Sequence, residues 1–398
     1  MSQCPFVVVG ASLAGLRAVE AARREGFCGP IVLVGAEDHL PYDRPPLSKA
    51  FLDSAEEPPV PHYKTREELL QLNVDLRLGR PAIGLDLGTR EVLLDGGSRV
   101  PYGRLIVATG ARARELPGKQ LDGVHTLRTV EDAARIRRAL NAGCRTVVVG
   151  GGFIGAEVAS AARKRGLPVT ILEAAAPPLV RALGEQMGAT CAALHALYGT
   201  DLRCGVAVAS IEGDGRVERV ILSDGSSLVA DLVVVGIGAS PVTDWLEGTG
   251  LTLDDGVVCD ETLRASEGVY AAGDVARWRN PLFGKSMRLE HWTAASEQGA
   301  AAARNALAPD RAAPYSTVPY FWSDWYDNKL QMVGVTGAEE VAVVGSFDER
   351  RWIALYRCGE RLVGALALNL PGKIMKYRAM IGGGTAWGDA LAFARGTP

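Results

Sequence analysis

The residues with the clearest chemical spacing are Gly150, Gly152 and Gly155, in the run Val147-Val148-Val149-Gly150-Gly151-Gly152-Phe153-Ile154-Gly155-Ala156-Glu157. The first glycine permits a tight turn, the second lets a pyrophosphate approach the backbone, and the third lets helix and strand pack closely. Phosphates held there would sit on the N-terminus of the following helix, against its unpaired N–H groups. Downstream, the apolar run 169–172 delivers Glu173, a carboxylate at the spacing that holds a ribose diol. A glycine pattern alone is weak evidence. Here the strand before it, the helix after it and the acid beyond it make a dinucleotide-binding unit.

A related unit stands earlier. Residues 6–9 lead into Gly10-Ala11-Ser12-Leu13-Ala14-Gly15, and a helix is expected over 16–24. A second strand, 31–34, ends near Ala36 and Glu37, with Ser12 in the place of the middle glycine. Two such units in one chain suggest two dinucleotides.

The elements around these units carry further candidate groups. Three prolines in Pro41-Tyr42-Asp43-Arg44-Pro45-Pro46-Leu47-Ser48-Lys49 fix an extended arm, in which Ser48 is expected to cap a short helix beginning at Lys49. Such an arm could place Arg44 and Lys49 over a bound cofactor. The buried run 105–110 ends in Ala108-Thr109-Gly110, and a second small-residue exit, 236–241, contains Gly238. The strand before Gly273-Asp274 presents a carboxylate at its C-terminal edge, where it can take a polyol hydroxyl. Helices are expected over 130–141, 183–198 and 293–307. From Pro309 the composition shifts to prolines and aromatics. Strands at 330–335, 341–346, 352–357 and 362–368, a helix near 374–381 and a tail then form a separate antiparallel domain.

A chain of 398 residues has room for two to three domains. A net charge of -3 gives no basic field for nucleic acid, and no apolar run approaches the ~18 residues of a membrane helix. The N-terminus enters a strand at once, without the features of a signal peptide, so a cytoplasmic location is expected. The seven cysteines are scattered, with no pair at the spacing of a redox dithiol or metal knuckle, so no metal site is expected. They are expected to be small buried hydrophobes.

Five stretches, PYDRPPLSK (41–49), GGGFIGAE (150–157), GVYAAGD (268–274), LEHW (289–292) and PYFWSD (319–324), resemble the FAD- and NADH-dependent ferredoxin reductases of bacterial oxygenase systems. The resemblance covers nearly the whole chain. It implies an α/β fold of glutathione-reductase-like architecture, with two Rossmann-like domains and an α+β C-terminal domain. The expected domains are 1–111 with 243–309 for FAD, 112–242 for NAD, and 310–398. It also implies that FAD lies without covalent attachment on the first unit, around Gly10, Ser12, Ala14, Gly15, Ala36, Glu37, Ala82, Ala108, Thr109 and Gly110. Arg44, Lys49, Arg128, Gly273, Asp274, Glu290, His291 and the backbone of Trp292 would be further FAD contacts, with Asp274 on the ribityl chain. NADH would lie on Gly150, Gly152, Phe153, Ile154, Gly155, Glu173, Arg181 and Gly238, and Lys49 would meet Glu157 beside the flavin. Trp322 would stand on the side where electrons leave for an iron–sulfur ferredoxin. The chain departs from the usual pattern at Ser12, at Ala36 in place of an acid, and at Pro177 in place of a basic residue.

The reaction so implied passes two electrons from NADH to FAD as a hydride, then one at a time to the ferredoxin that feeds an oxygenase. Other readings are an NADH oxidase, a peroxidase, a rubredoxin reductase of the same architecture, or a flavoprotein that binds or signals without turnover. Peroxidases and disulfide reductases of this shape need a cysteine near the flavin, and 41–49 holds none. An acidic ferredoxin would need local positive charge, for which Lys64, Arg66 and Lys329 are candidates.

Overall fold

The computed structural model describes residues 4–53 and 56–396. Contacts divide the chain into two compact units. One comprises the residues up to Asp43, Val60–Arg112 and Ser240–Pro319; the other comprises Arg44–Pro59, Ala113–Ala239 and the chain from Tyr320 onward. The arm from Arg44 to Pro59, expected with the FAD domain, therefore groups with the second unit, and 310–319 groups with the first.

The first unit is built on a sheet in the order Arg264–Ser266, Val269–Ala271, Arg104–Val107, Phe6–Val9, Ile31–Val34 and Val74–Arg77. Phe6–Val9 pairs in parallel with Ile31–Val34 on one side and Arg104–Val107 on the other. From this strand the chain runs on to Ile31–Val34 on one side, while Arg104–Val107 on the other side leads on toward Val269–Ala271, so the strand order reverses at the C-terminal end where the Gly10 loop lies. Continuous β-branched runs buried on both faces are what such a parallel position demands. The helix begins at Leu13 rather than at residue 16, with Ser12 in the N-cap position but no side-chain hydrogen bond from it.

The second unit repeats the plan in the order Asp201–Cys204, Val169–Glu173, Thr146–Val149, Leu232–Val235 and Val124–Thr126. Thr146–Val149 is again central and parallel to both neighbours. Its helix Phe153–Lys164 packs against the first strand of an antiparallel sheet in the order Tyr320–Trp325, Asn328–Gly334, Arg361–Leu368, Arg351–Cys358 and Glu340–Ser346. One hydrophobic core, which includes Ala156, Met187, Trp325, Tyr356 and Leu366, joins these two layers.

Several expectations fail locally. The helix expected over 183–198 is two pieces, Val180–Leu183 and Glu185–Leu197, broken at Gly184, whose φ of +79° a non-glycine residue would resist. The expected tail contains a further helix, Trp387–Arg395. Ser48 is not a helix cap; it closes a 3₁₀ turn, Pro45–Ser48, and is buried. Tyr320–Trp325 is a full strand, hidden in the sequence because its aromatic and polar residues do not alternate by polarity.

Candidate active site

Glu157 sits on the first turn and a half of the Phe153–Lys164 helix and is 3% exposed. Its Oε2 accepts hydrogen bonds from Lys49 Nζ at 2.8 Å and from Ser48 Oγ. Its Oε1 accepts from Ser323 Oγ at 2.5 Å and from the backbone N–H of Asp324 at 3.3 Å. A buried carboxylate must be paired and hydrogen-bonded to stay charged, and this one is met on both oxygens. Its partners come from the arm and from the antiparallel sheet. Within Tyr320–Trp325 the two-residue period of a strand sends Phe321, Ser323 and Trp325 toward the second unit's helices: Phe321 meets Phe153, Ser323 meets Glu157 and Trp325 stacks on His195. A cleft of about 370 Å³ reaches this cluster, lined among others by Ser48, Lys49, Glu157, Lys164, Asp324 and Lys329.

The glycine loop of the same unit has the cradle a dinucleotide needs. A Cβ on Gly150 would lie 2.3 Å from Gly236 O, and one on Gly155 would lie 2.2 Å from Gly150 O. Glu173 Oε2 accepts from Gly151 N at 2.7 Å and Oε1 from Ala175 N at 2.8 Å, which fixes the carboxylate at the loop and leaves lone pairs for a diol. Gly238 adopts φ +102°, and Ile154 and Arg181 are exposed.

In the first unit, a Cβ on Gly10 would meet Ala108 O at 2.0 Å and one on Gly15 would meet Gly10 O at 1.9 Å. A Cβ on Gly273 would lie 3.0 Å from Ala14 Cβ, so Ala14 and the Gly273-Asp274 turn share one cradle. Gln298, fully buried, accepts from Gly273 N at 2.8 Å, and its Nε2 finds no partner among the described residues. A buried donor left over at this turn fits a bound polyol or phosphate. Glu37, at the end of the Ile31–Val34 strand, accepts from Tyr42 Oη at 2.5 Å. Thr109 Oγ1 donates to Val242 O at 2.7 Å, beside Gly110 at φ +68°. Trp292 Nε1 donates to Asp43 Oδ1 and Tyr63 Oη at 2.8 and 3.0 Å, which pins the start of the Trp292–Leu307 helix. Next to it, burial drives His291 down to about 4 with the Asp274 carboxylate opposing, and Glu290 pairs with Arg288 at 2.8 Å.

Other expected residues lie apart from these clusters. Arg44 Nη1 donates to Arg128 O at 2.7 Å, and Ala36 is exposed beyond its strand. Ala82 begins the strand Ala82–Asp86. Trp322 points to the face opposite Ser323, half-buried and stacked on Tyr320 at 5.9 Å, so it is not a core tryptophan. Lys64 stands 3.3 Å from Glu20, a carboxylate that Arg17 also holds at 2.6 Å, and Lys329 stands 3.6 Å from Asp324. Cys4, Cys28 and Cys358 are exposed, against the expectation that the cysteines are core residues. Burial pushes Cys191 and Cys259 up to about 12 and raises Cys144 and Cys204, which disfavours the reactive thiolate at all four. Sequence reasoning missed Ser323, Trp325 and Gln298. Their signal was only the place of Ser323 within PYFWSD, of Trp325 just after it, and of Gln298 in the alanine-rich helix.

Residues 5–299 match the pyridine nucleotide-disulphide oxidoreductase family and 320–395 match the reductase C-terminal family. The chain belongs to the pyridine nucleotide-disulphide oxidoreductases. The family, together with relatives that are ferredoxin–NAD(+) reductases, implies the use of FAD and NAD(H). The chain is 39% identical to the anthranilate 1,2-dioxygenase system ferredoxin–NAD(+) reductase component of Burkholderia cepacia, over 96% of this chain and 95% of that one. It is 38% identical to rhodocoxin reductase of Rhodococcus erythropolis, over 94% and 89%. In structure it matches the reductase of the covalent putidaredoxin reductase–putidaredoxin complex, with a TM-score of 0.91, 33% identity, and coverage of 96% of this chain and 94% of that one. The glutathione-reductase-like α/β architecture is thus that of the family. Among the described residues, no helix is long and apolar enough to cross a membrane.

His195 gives a test of the second unit's core. It is 1% exposed, its Nδ1 lies 2.6 Å from Tyr326 Oη, and burial lowers it from 6.5 to about 4. The unfolded chain therefore binds a proton near pH 6.5 that the fold refuses until about pH 4. Stability is full above pH 6.5 and falls below it, by about 2 kcal/mol at pH 5. Denaturant titrations at pH 7 and pH 5 should show this loss in the native chain, and a smaller one in His195→Gln.

Proposed function

We propose that this protein is a ferredoxin reductase that passes electrons from NADH through FAD to an iron–sulfur ferredoxin serving an oxygenase, in the cytoplasm. The observation that carries this reading is the Glu157–Lys49 pair, built on the helix of the second glycine loop in a chain whose relatives are ferredoxin reductases. FAD belongs on the first unit, with its pyrophosphate at Gly10, Ser12 and Gly15, its polyol chain at Asp274 and Gln298, and Glu37 for the ribose. NADH belongs on the second, with Gly150, Gly152 and Gly155 for the pyrophosphate and Glu173 for the ribose diol.

Bound FAD supplies the change from two-electron to one-electron chemistry. The chain supplies charge and order. Lys49 pairs with Glu157 at 2.8 Å in a partly dry site, and a cation there favours negative charge placed beside it. Asp43 and Tyr63 hold the indole of Trp292, and thereby the first N–H groups of its helix. Trp322, outside the core and stacked on Tyr320, is placed to shield the route of electron exit.

An anaerobic stopped-flow experiment tests the reading. NADH should bleach the yellow protein, and adding an oxidised ferredoxin should restore the colour. A protein that holds FAD but is not bleached by NADH would refute it. Trp322→Ala should slow the ferredoxin step more than the NADH step; an equal loss in both would remove Trp322 from the exit route.

A further inference from the structure

The carboxylate of Glu157 has its donors arranged in a definite direction. Trp325 Nε1 lies 2.9 Å from Ser323 Oγ, and an indole N–H can only donate. A lone pair of Ser323 is thereby engaged, and its own proton is directed to Glu157 Oε1 at 2.5 Å. Trp325 is held in turn by His195, whose ring stacks on it at 5.1 Å with 27° between the planes. The result is a relay of His195, Trp325, Ser323, Glu157 and Lys49, running from the antiparallel sheet to the arm. Ser48 also donates to Glu157, but from the other side and with Pro45 O 3.4 Å from its oxygen as a second acceptor.

The two serines differ in access to water. Ser48 lines the cleft of about 370 Å³. Ser323 is fully buried and does not line it. Water can take over the hydroxyl of the first and not of the second.

We propose that Ser323 is a positioning residue for the NADH-dependent reduction: its oriented hydroxyl holds the Glu157 carboxylate in place, and Glu157 in turn holds Lys49. The proposal rests on the reading of the protein as an FAD- and NADH-dependent reductase.

Three variants of the full-length, FAD-loaded protein decide it: Ser323→Ala, Ser48→Ala and Trp325→Phe. Ser323→Ala and Trp325→Phe each remove the indole–hydroxyl bond, but only the first takes the donor from Glu157. Losing one donor to a buried charged group should lower the limiting rate of flavin reduction about tenfold or more in Ser323→Ala, with the affinity for NADH nearly unchanged. The flavin midpoint potential, measured by dye equilibration without NADH, should move positive, because the Lys49 ammonium is no longer fully balanced. Ser48→Ala should lose less than Ser323→Ala in rate and potential, because water in the cleft can take the place of its hydroxyl, and Trp325→Phe, which frees the Ser323 hydroxyl but keeps it as a donor, should fall between Ser323→Ala and the native protein. Equal rates and potentials in Ser323→Ala and Trp325→Phe would mean that only packing was disturbed, and would overturn the proposal. A native protein that NADH cannot reduce would overturn the functional reading, while the potentials would still decide the role of Ser323.

Discussion

The native protein should use NADH in preference to NADPH by about three decades in kcat/KM. Glu173 is fixed by two backbone N–H groups, from Gly151 and Ala175, and so cannot swing away from a ligand at the glycine loop. A 2′-phosphate on the ribose would stand beside this carboxylate. Two like charges about 4 Å apart at an effective dielectric of ~20 repel by roughly 4 kcal/mol, about a thousandfold in affinity. The neighbours Ala174, Ala175 and Ala176 carry no compensating cation, and Arg181 lies exposed on a separate short helix. Steady-state rates with both coenzymes at one ionic strength settle the matter. Equal specificity constants would show that Glu173 does not face the ribose.

The second large effect lies in the Lys49–Glu157 pair, and the structure makes it asymmetric. Lys49→Met leaves Glu157 with three donors: Ser48, Ser323 and the N–H of Asp324. Glu157→Gln removes the charge opposite Lys49, whose other acceptor among the described residues is the Pro45 carbonyl, 3.4 Å away, and replaces one acceptor oxygen by an NH2 group that meets donors. Breaking a buried pair from one side costs about 3 kcal/mol or more. Lys49 is 18% exposed and can reach water in the cleft, which moderates the loss. Glu157→Gln should therefore be the more harmful single change, in stability and in the rate of flavin reduction. The double variant should be milder than the sum of the two. Denaturant midpoints and single-turnover rates for the four proteins give the coupling, and strict additivity would show that the two side chains act independently.

Much of the fold was legible because its signals are local. A β-branched run followed by spaced glycines and a small-residue helix has few other solutions, so both central strands, both loops and Glu173 could be read from spacing alone. The break at Gly184 and the helix Trp387–Arg395 escaped, because neither stands beside a strong periodic pattern. The resemblance paired Lys49 with Glu157, but it gave no sign of what holds them.

The sequence by itself determined the two dinucleotide units, the strand-borne carboxylates and the absence of a cysteine pair, since each depends on residues near one another in the chain. Only the tertiary structure decided which groups saturate Glu157. Ser48 is 109 positions away from it and Ser323 is 166 positions away. Ser323 reaches it because a strand turns every second side chain to one face, and because the core around Ala156 and Trp325 presses that face onto the helix. A buried charge needs every donor it can find, and those donors are chosen by packing, which the order of residues along the chain does not display.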